Sequence, residues 1–261
     1  MSALKLGAVD YLNARPLVQG LDGRADRFAL RFDPPSRCAA LLHAGEIDLG
    51  MIPSIEYLHG NDYRVVPGVS IASFGDVASV AVFAASPVEK IRRISLDSSS
   101  RTSVALLRVL CERHFQIAPE FVTRPPDLPS MLRDADAALL IGDPALFAGP
   151  EANGLTKLDL GAAWRELTGL PFVWAFWAGR ANVLSRADVH ALQAARDAGV
   201  ASGDAIAEKY GEGDSARVAR GRAYLRNNMK YGLGDAELAG LQRFYELAEG
   251  KNGVRPHFYE N

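Results

Sequence analysis

The chain has 261 residues with 29 Lys and Arg against 31 Asp and Glu, a formal charge of −2. It therefore has no general electrostatic attraction for nucleic acid or acidic membranes, and any anion site must be local. At 48% hydrophobic and 23% charged residues the composition is that of a globular protein, and no apolar run approaches the roughly 20 residues needed to cross a bilayer.

Residues 4–9 alternate as a first strand, with no basic and hydrophobic leader before them, so the expected compartment is the cytoplasm. The strand leads into Asp10-Tyr11-Leu12-Asn13-Ala14-Arg15-Pro16-Leu17, where Pro16 suits the first turn of a helix. Asn13 lies just past the strand's carboxyl end, the edge at which open α/β sheets bind ligands. A second strand is expected at 28–32, a helix from Pro34-Pro35-Ser36 to Gly45, and a third strand at 47–52. Ser54 follows that strand at the same kind of junction as Asn13. Cys38 and Cys111 are far apart and outside any CxxC pattern, and read as buried thiols rather than a disulfide or zinc site.

Segments 65–66, 69–74 and 77–83 are β-rich, with Gly75-Asp76 as a turn and Ser79 at the start of the last. The pattern then restarts. A strand at 94–96 enters Asp97-Ser98-Ser99-Ser100-Arg101-Thr102-Ser103, which opens a helix expected to reach Phe115 and to bury Val104, Leu107, Cys111 and His114. The unpaired N–H groups of that helix, the hydroxyls of Ser99, Ser100 and Thr102, and the Arg101 cation make a site for a small anion. Strands at 121–122 and 137–141 follow, the latter ended by Gly142-Asp143-Pro144. Next come a helix at 164–167, an apolar strand at 172–178, and helices near 186–200, 204–210, 215–230 and 235–249, the first with a capping-box start at Ser185 and Asp188.

The β-rich crossings near 77–84 and 172–178 bracket the middle unit, which predicts an α/β protein of two lobes joined by a double hinge. Lobe 1 is expected from 1–83 and 178–261, and lobe 2 from 84–177. The cleft between them would gather Asn13, Ser54, Ser79, Ser99, Ser100, Arg101, Thr102, Gly142 and Asp143. HExxH, P-loop, GxGxxG and GxSxG patterns are missing, and the five histidines have no metal-ligand spacing, so neither a metal nor a cofactor is expected. The partner expected is a small carboxylated molecule, in an enzyme or in a binding protein.

Several blocks carry a resemblance: Val9-Asp10-Tyr11-Leu12-Asn13-Ala14-Arg15-Pro16-Leu17, Asp48-Leu49-Gly50-Met51-Ile52-Pro53-Ser54, Ser98-Ser99-Ser100-Arg101-Thr102-Ser103, Ile141-Gly142-Asp143, Asp159-Leu160-Gly161-Ala162-Ala163-Trp164 and Thr168-Gly169-Leu170-Pro171-Phe172-Val173. In this order they resemble the chorismate dehydratases of the futalosine route to menaquinone. The resemblance implies a fold like type 2 periplasmic binding proteins and the conversion of the dicarboxylate chorismate to 3-[(1-carboxyvinyl)oxy]benzoate and water. It also implies that the serine turn and Arg101 bind carboxylate, and that Asn13 acts near the reacting carbon or leaving hydroxyl. A substrate carboxylate, water or Asp143 then remains as proton acceptor. The alternatives are the related 1,4-dihydroxy-6-naphthoate synthase, which lies on the same route, and a non-catalytic carboxylate-binding protein.

Overall fold

A computed structural model describes residues 3–149 and 154–260. Eleven strands within these residues form two sheets. The first opens with β1 (Leu4–Val9), paired in parallel along its length with β2 (Phe28–Asp33) and on its other side with β3 (Leu49–Pro53). Between β2 and β3, α1 (Pro35–Ala44) starts with Pro35 in its first turn and ends at left-handed Gly45, whose N–H bonds the carbonyls of Leu41 and Leu42. Strands β4 (Tyr63–Val65) and β5 (Ile71–Ser73) complete the sheet only through a later strand.

The second sheet takes β6 (Val80–Ala84), β7 (Arg93–Asp97), α2 (Thr102–Leu110), β8 (Glu120–Arg124), α3 (Leu128–Met131), β9 (Ala137–Ile141), α4 (Gly142–Leu146) and β10 (Thr156–Asp159), with strand order 10-6-9-7-8. Alternation shows directly here. Val80, Val82, Ala84, Ala137, Leu139 and Ile141 face the main core, while Ala81, Phe83, Ala138 and Leu140 form a smaller cluster with Met131 and Ala145 on the opposite face.

After α5 (Leu160–Thr168), β11 (Phe172–Arg180) returns to the first sheet and lies antiparallel between β3 and the pair β4 and β5. Strand β6 therefore belongs to the second sheet and β11 to the first. The chain crosses between sheets at 74–79 and 160–171, so the expected lobe borders at 83/84 and 177/178 fall at the last residues of β6 and inside β11. The β-rich composition reported on strands as such, because a buried ladder member and a crossing strand share the same apolar run.

Helix α2 differs from expectation as well. Its buried face carries Ser103, Leu106, Leu107 and Leu110, whereas Val104 and His114 are only half-buried. A π-helical turn at Cys111–Phe115 accounts for the change at its end, since the wider turn breaks the helical phase, and His114 reaches Glu166 at 3.3 Å.

Helices α6 (Arg186–Ala201) and α7 (Gly203–Tyr210) pack on the 3-10 turn Leu12–Val18 that follows β1, α8 (Ser215–Asn227) packs on α7, and α9 (Asp235–Glu249) packs on β11 and α2. Gly199 of α6 permits the close approach, because a Cβ there would lie 2.0 Å from the Pro16 carbonyl oxygen. The crossing into β11 is locked by an aromatic cluster. Trp164 of α5 meets Phe172 edge-on at 5.2 Å, Phe244 of α9 lies 4.8 Å from Phe172, and the Trp164 Nε1 donates to the Pro171 carbonyl at 3.1 Å. The C-terminal tail is ordered against β4, where Val65 N–H donates to His257 O at 2.8 Å and Tyr259 N–H to Val65 O at 3.1 Å. It covers an otherwise open sheet edge.

The capping box that starts α6 also anchors the helix to the entrance of β2. The Ser185 hydroxyl accepts from the Asp188 N–H, Asp188 accepts from Ser185, and the same carboxylate pairs with Arg27 through two guanidinium nitrogens. Burial alone would raise the Asp188 carboxyl, but Arg27 and the Ser185 donors outweigh it and hold it below the usual carboxylate range. Asp188→Ala is expected to cost about 2 kcal/mol in chemical denaturation at neutral pH. Because the native carboxyl is depressed, its contribution is complete above the unfolded value near pH 4 and disappears as pH falls through the native one. The gap between wild type and variant should narrow on acidification; a gap constant from pH 7 to pH 3 would remove Asp188 from the account of stability.

Candidate active site

The carboxyl ends of β1, β3, β7 and β9 converge on a cavity between the two sheets, as expected of the ligand-binding edge of α/β sheets. Its lining comes from Val9, Tyr11 and Asn13 after β1, Pro53 at the end of β3, and Val77 and Ser79 in the crossing loop. The second sheet adds Ser100, Arg101, Thr102 and Ser103 at the start of α2 and Ile141 with Gly142 at the end of β9, while Trp174 and Ala175 of β11 close one wall. The cavity measures about 60 Å³. Ligand pockets begin near roughly 300 Å³, so this one is too small to take a drug-sized molecule as it stands.

Asn13, Ser79, Ser100, Arg101, Thr102 and Gly142, all expected at the site, are thus brought together. Arg101 is exposed at the rim, where its guanidinium has no ion pair with a described residue. Thr102 is buried, and its Oγ1 accepts from the Ile55 N–H at 3.2 Å.

Ser54, Ser99 and Asp143 do not line the cavity. The Ser54 hydroxyl is fully buried, donates to the Val173 carbonyl at 2.7 Å and lies 3.4 Å from the Thr102 hydroxyl, so it latches the end of β3 to β11 and α2. The Ser99 hydroxyl donates to Asp97 at 2.6 Å. Asp143 accepts from the Leu12 N–H at 3.1 Å through one oxygen and from the Tyr210 hydroxyl through the other. Burial raises its carboxyl against the pull of those two bonds. Asp143 consequently ties the loop after β1 to α4 and α7 rather than facing the cavity, and the expectation of it as a proton acceptor finds no support in this geometry. Sequence spacing placed all three at the correct strand ends; it could not show which way the side chains turn.

Two further aspartates shape the lining. Asp97, 1% exposed, accepts from the N–H and hydroxyl of Ser99 through one oxygen and from the Ile141 N–H at 3.3 Å through the other. Asp159 accepts from Val77 and Ala78 in the crossing loop, at 3.0 and 2.7 Å, and also caps α5 through the N–H groups of Gly161 and Ala162. Burial raises both carboxyls, and hydrogen bonds partly oppose it. Asp159 holds Ala78 at φ 60°, a left-handed conformation that costs an ordinary residue about 1–2 kcal/mol, while Lys157 Nζ bonds the Ala78 carbonyl at 2.5 Å. Gly142 needs its missing side chain for a related reason. At φ 62° a Cβ would meet the Tyr11 ring at 2.5 Å. The Tyr11 phenol is itself raised above its ordinary value, chiefly by burial.

Beneath the lining, the Tyr224 hydroxyl of α8 lies 2.7 Å from Ser79 Oγ. Helical spacing marks Tyr224 as a core residue alongside Val218, Gly221 and Leu225, but nothing in that spacing reveals where its hydroxyl points. Among the described residues, no group of three or more His, Cys, Asp or Glu is arranged to hold a metal ion, and no helix is long and apolar enough to cross a membrane.

Comparison with known proteins agrees with this architecture. A protein from Archaeoglobus fulgidus, AF1704, superposes with a TM-score of 0.77 at 20% identity, covering 95% of this chain and 97% of its own. The CA3427 gene product of Candida albicans, which exhibits the generic periplasmic binding protein fold, gives 0.68 at 11% identity, with 100% and 99% covered. The second likeness defines the fold as periplasmic-binding-protein-like. A chorismate dehydratase from Thermus thermophilus is 32% identical over 258 residues, or 92% of this chain and 93% of the relative. The sequence pattern for menaquinone biosynthesis matches residues 4–250. With that match spanning nearly the whole chain, the protein belongs to the menaquinone biosynthesis family.

Proposed function

We propose that the protein is a chorismate dehydratase, which converts chorismate into 3-[(1-carboxyvinyl)oxy]benzoate and water in the cytoplasm. The observation that carries this reading is the similarity to the Thermus thermophilus enzyme along almost all of both chains. The cavity is compatible with the chemistry. Removing the ring C3 proton leaves a carbanion conjugated with the ring carboxylate, and loss of hydroxide from C4, which leaves with that proton as water, completes the aromatic ring. The product is stable; the protein's task is to reach the carbanion and orient the leaving group.

The lining contains no Asp, Glu, His or Lys. In this reading the C3 proton passes to a substrate carboxylate or to water, not to a protein base. Arg101 and the N–H and hydroxyl groups at the start of α2 neutralise one carboxylate, and Asn13 hydrogen-bonds at the reacting centre or leaving hydroxyl. Because the cavity is too small for the substrate as it stands, substrate is admitted when the layers part about the crossings at 74–79 and 160–171, and closure then joins Asn13 of the first layer to Arg101 of the second.

Ultraviolet spectroscopy with chorismate tests the reading: loss of the diene absorbance should accompany formation of an enolpyruvyl benzoate in the mass spectrum. Binding that leaves the diene intact would instead identify a carboxylate-binding protein. Arg101→Ala should lower kcat/KM by about 2 kcal/mol, the size of a charge-assisted bond; unchanged kcat/KM would place Arg101 outside the site. Asn13→Leu should act mainly on kcat, by roughly 2–4 kcal/mol with product binding retained. Wild-type turnover in that variant would reduce Asn13 to a structural cap of its loop.

A further inference from the structure

We infer that Trp174 is a specificity-determining residue: a bulge in β11 turns its indole to the cavity as a flat apolar wall, which selects a planar ring as the body of the carboxylated ligand. Of the three tryptophans, Trp164 and Trp177 are fully buried in the core, and Trp174 alone lines the cavity. The kinetic consequences of that placement rest on the dehydratase reading; the preference among bound ligands does not.

The placement comes from the ladder. Against β5, Phe172 lies opposite Ser73 and Val173 opposite Ala72, but Ala175 lies opposite Ile71, so Trp174 is an extra residue with no partner across the strand. Neighbouring residues of a regular strand point to opposite faces, and a bulge re-aims one of them. Trp174 and Ala175 accordingly line the same cavity. The indole is also held in place. Its Nε1 donates to the Ser73 hydroxyl at 3.1 Å, and the Phe172 ring lies 4.3 Å away, tilted by 54°. Both of these anchors are buried.

With its one polar group engaged by Ser73, Trp174 offers a ligand only ring surface. The lining around it includes Ile71, Val77, Val80 and Ile141, while Asn13, Ser79, Ser100 and Arg101 supply the polar contacts. Such a cavity fits an anionic group carried on a flat, carbon-rich ring better than an open-chain carboxylate. The fit also changes along the reaction. In chorismate, C3 and C4 are tetrahedral and pucker the ring; as the proton leaves C3 and hydroxide leaves C4, both become trigonal and the ring flattens. A rigid flat wall meets the flattened ring over more area than the puckered one, so the contact is stronger in the transition state than in the bound substrate.

Two ligands of equal charge isolate ring shape: the product 3-[(1-carboxyvinyl)oxy]benzoate, and the same two groups carried on a saturated cyclohexane ring. Calorimetry should show that wild type binds the product more tightly. Trp174→Leu should weaken product binding about 3- to 10-fold, the size of one aromatic contact, and leave the saturated compound within about twofold. In turnover the same variant should lower kcat for chorismate by about 3- to 10-fold, because the contact it removes grows as the ring flattens.

A second readout needs no activity. The product should change the tryptophan emission of wild type saturably, and most of that change should disappear in Trp174→Phe while calorimetry still registers binding. No preference of wild type for the product, equal weakening of both ligands in Trp174→Leu, wild-type kcat in that variant, or the full emission change retained in Trp174→Phe would each overturn the proposal. If wild type binds the product but leaves chorismate intact, the dehydratase reading fails, and the ring preference with the emission change decides the role of Trp174. If Trp174→Leu does not fold, Ser73→Ala takes its place: it frees the indole N–H, so the product's advantage over the saturated compound should shrink, and an unchanged advantage would overturn the proposal.

Discussion

A carboxylate withheld from water must be surrounded by donors, and this molecule draws those donors from the loops that shape its cavity. Asp97 joins the serine turn to the end of β9, Asp159 holds the crossing loop against α5, and Asp143 fastens the loop after β1 to the start of α4. None of the three lines the cavity. Each converts otherwise mobile backbone into a fixed wall, and burial raises all three carboxyls. The polar side chains left facing inward, among an otherwise apolar lining, are neutral hydroxyls, an amide and one guanidinium at the rim. The charge that organises the site is kept behind it.

That division suits the proposed chemistry. A dianionic substrate would be repelled by an ionised carboxylate in the cavity, whereas the same carboxylate one layer back orders the N–H groups and hydroxyls around the ligand. The fold supports the arrangement by holding its layers together with directional contacts: the Ser54 and Thr102 hydroxyls between β3 and α2, and the aromatic cluster of Trp164, Phe172 and Phe244 at the return crossing. A periplasmic-binding-protein-like frame already brings two sheets' strand ends face to face. Chemistry then requires fixed orientations rather than a new scaffold.

Much of this was legible in the residues because it depends on local patterns. Proline at the start of α1, glycine at its end and serine before α6 mark boundaries by backbone geometry alone, and the strand-to-helix junctions located Asn13 and Ser100 at the cavity. The short strand β10 was not seen, being a four-residue segment half exposed along most of its length with little apolar signal. Strands β6 and β11 were read as bridges between lobes, since an apolar run does not name its partner strands. The roles of Asp97 and Asp159 were hidden more deeply. Each depends on N–H groups brought close by tertiary structure, for Asp97 from 44 residues away and for Asp159 from 82. A one-dimensional pattern records neither distance nor direction of a side chain.

The insertion of β11 between β3 and the pair β4 and β5 has a consequence for how the chain is made. All five strands of the second sheet lie between residues 80 and 159, so they have been synthesised before β11 begins at Phe172. The first sheet, although it contains the first strands to emerge, has a gap at its centre until β11 has left the ribosome, and its β4 edge stays uncovered until the last residues of the tail arrive. Nascent β3, β4 and β5 must therefore wait, with buried-type surface exposed, while a later unit completes its sheet. The part of the protein translated first is the part that can finish folding last.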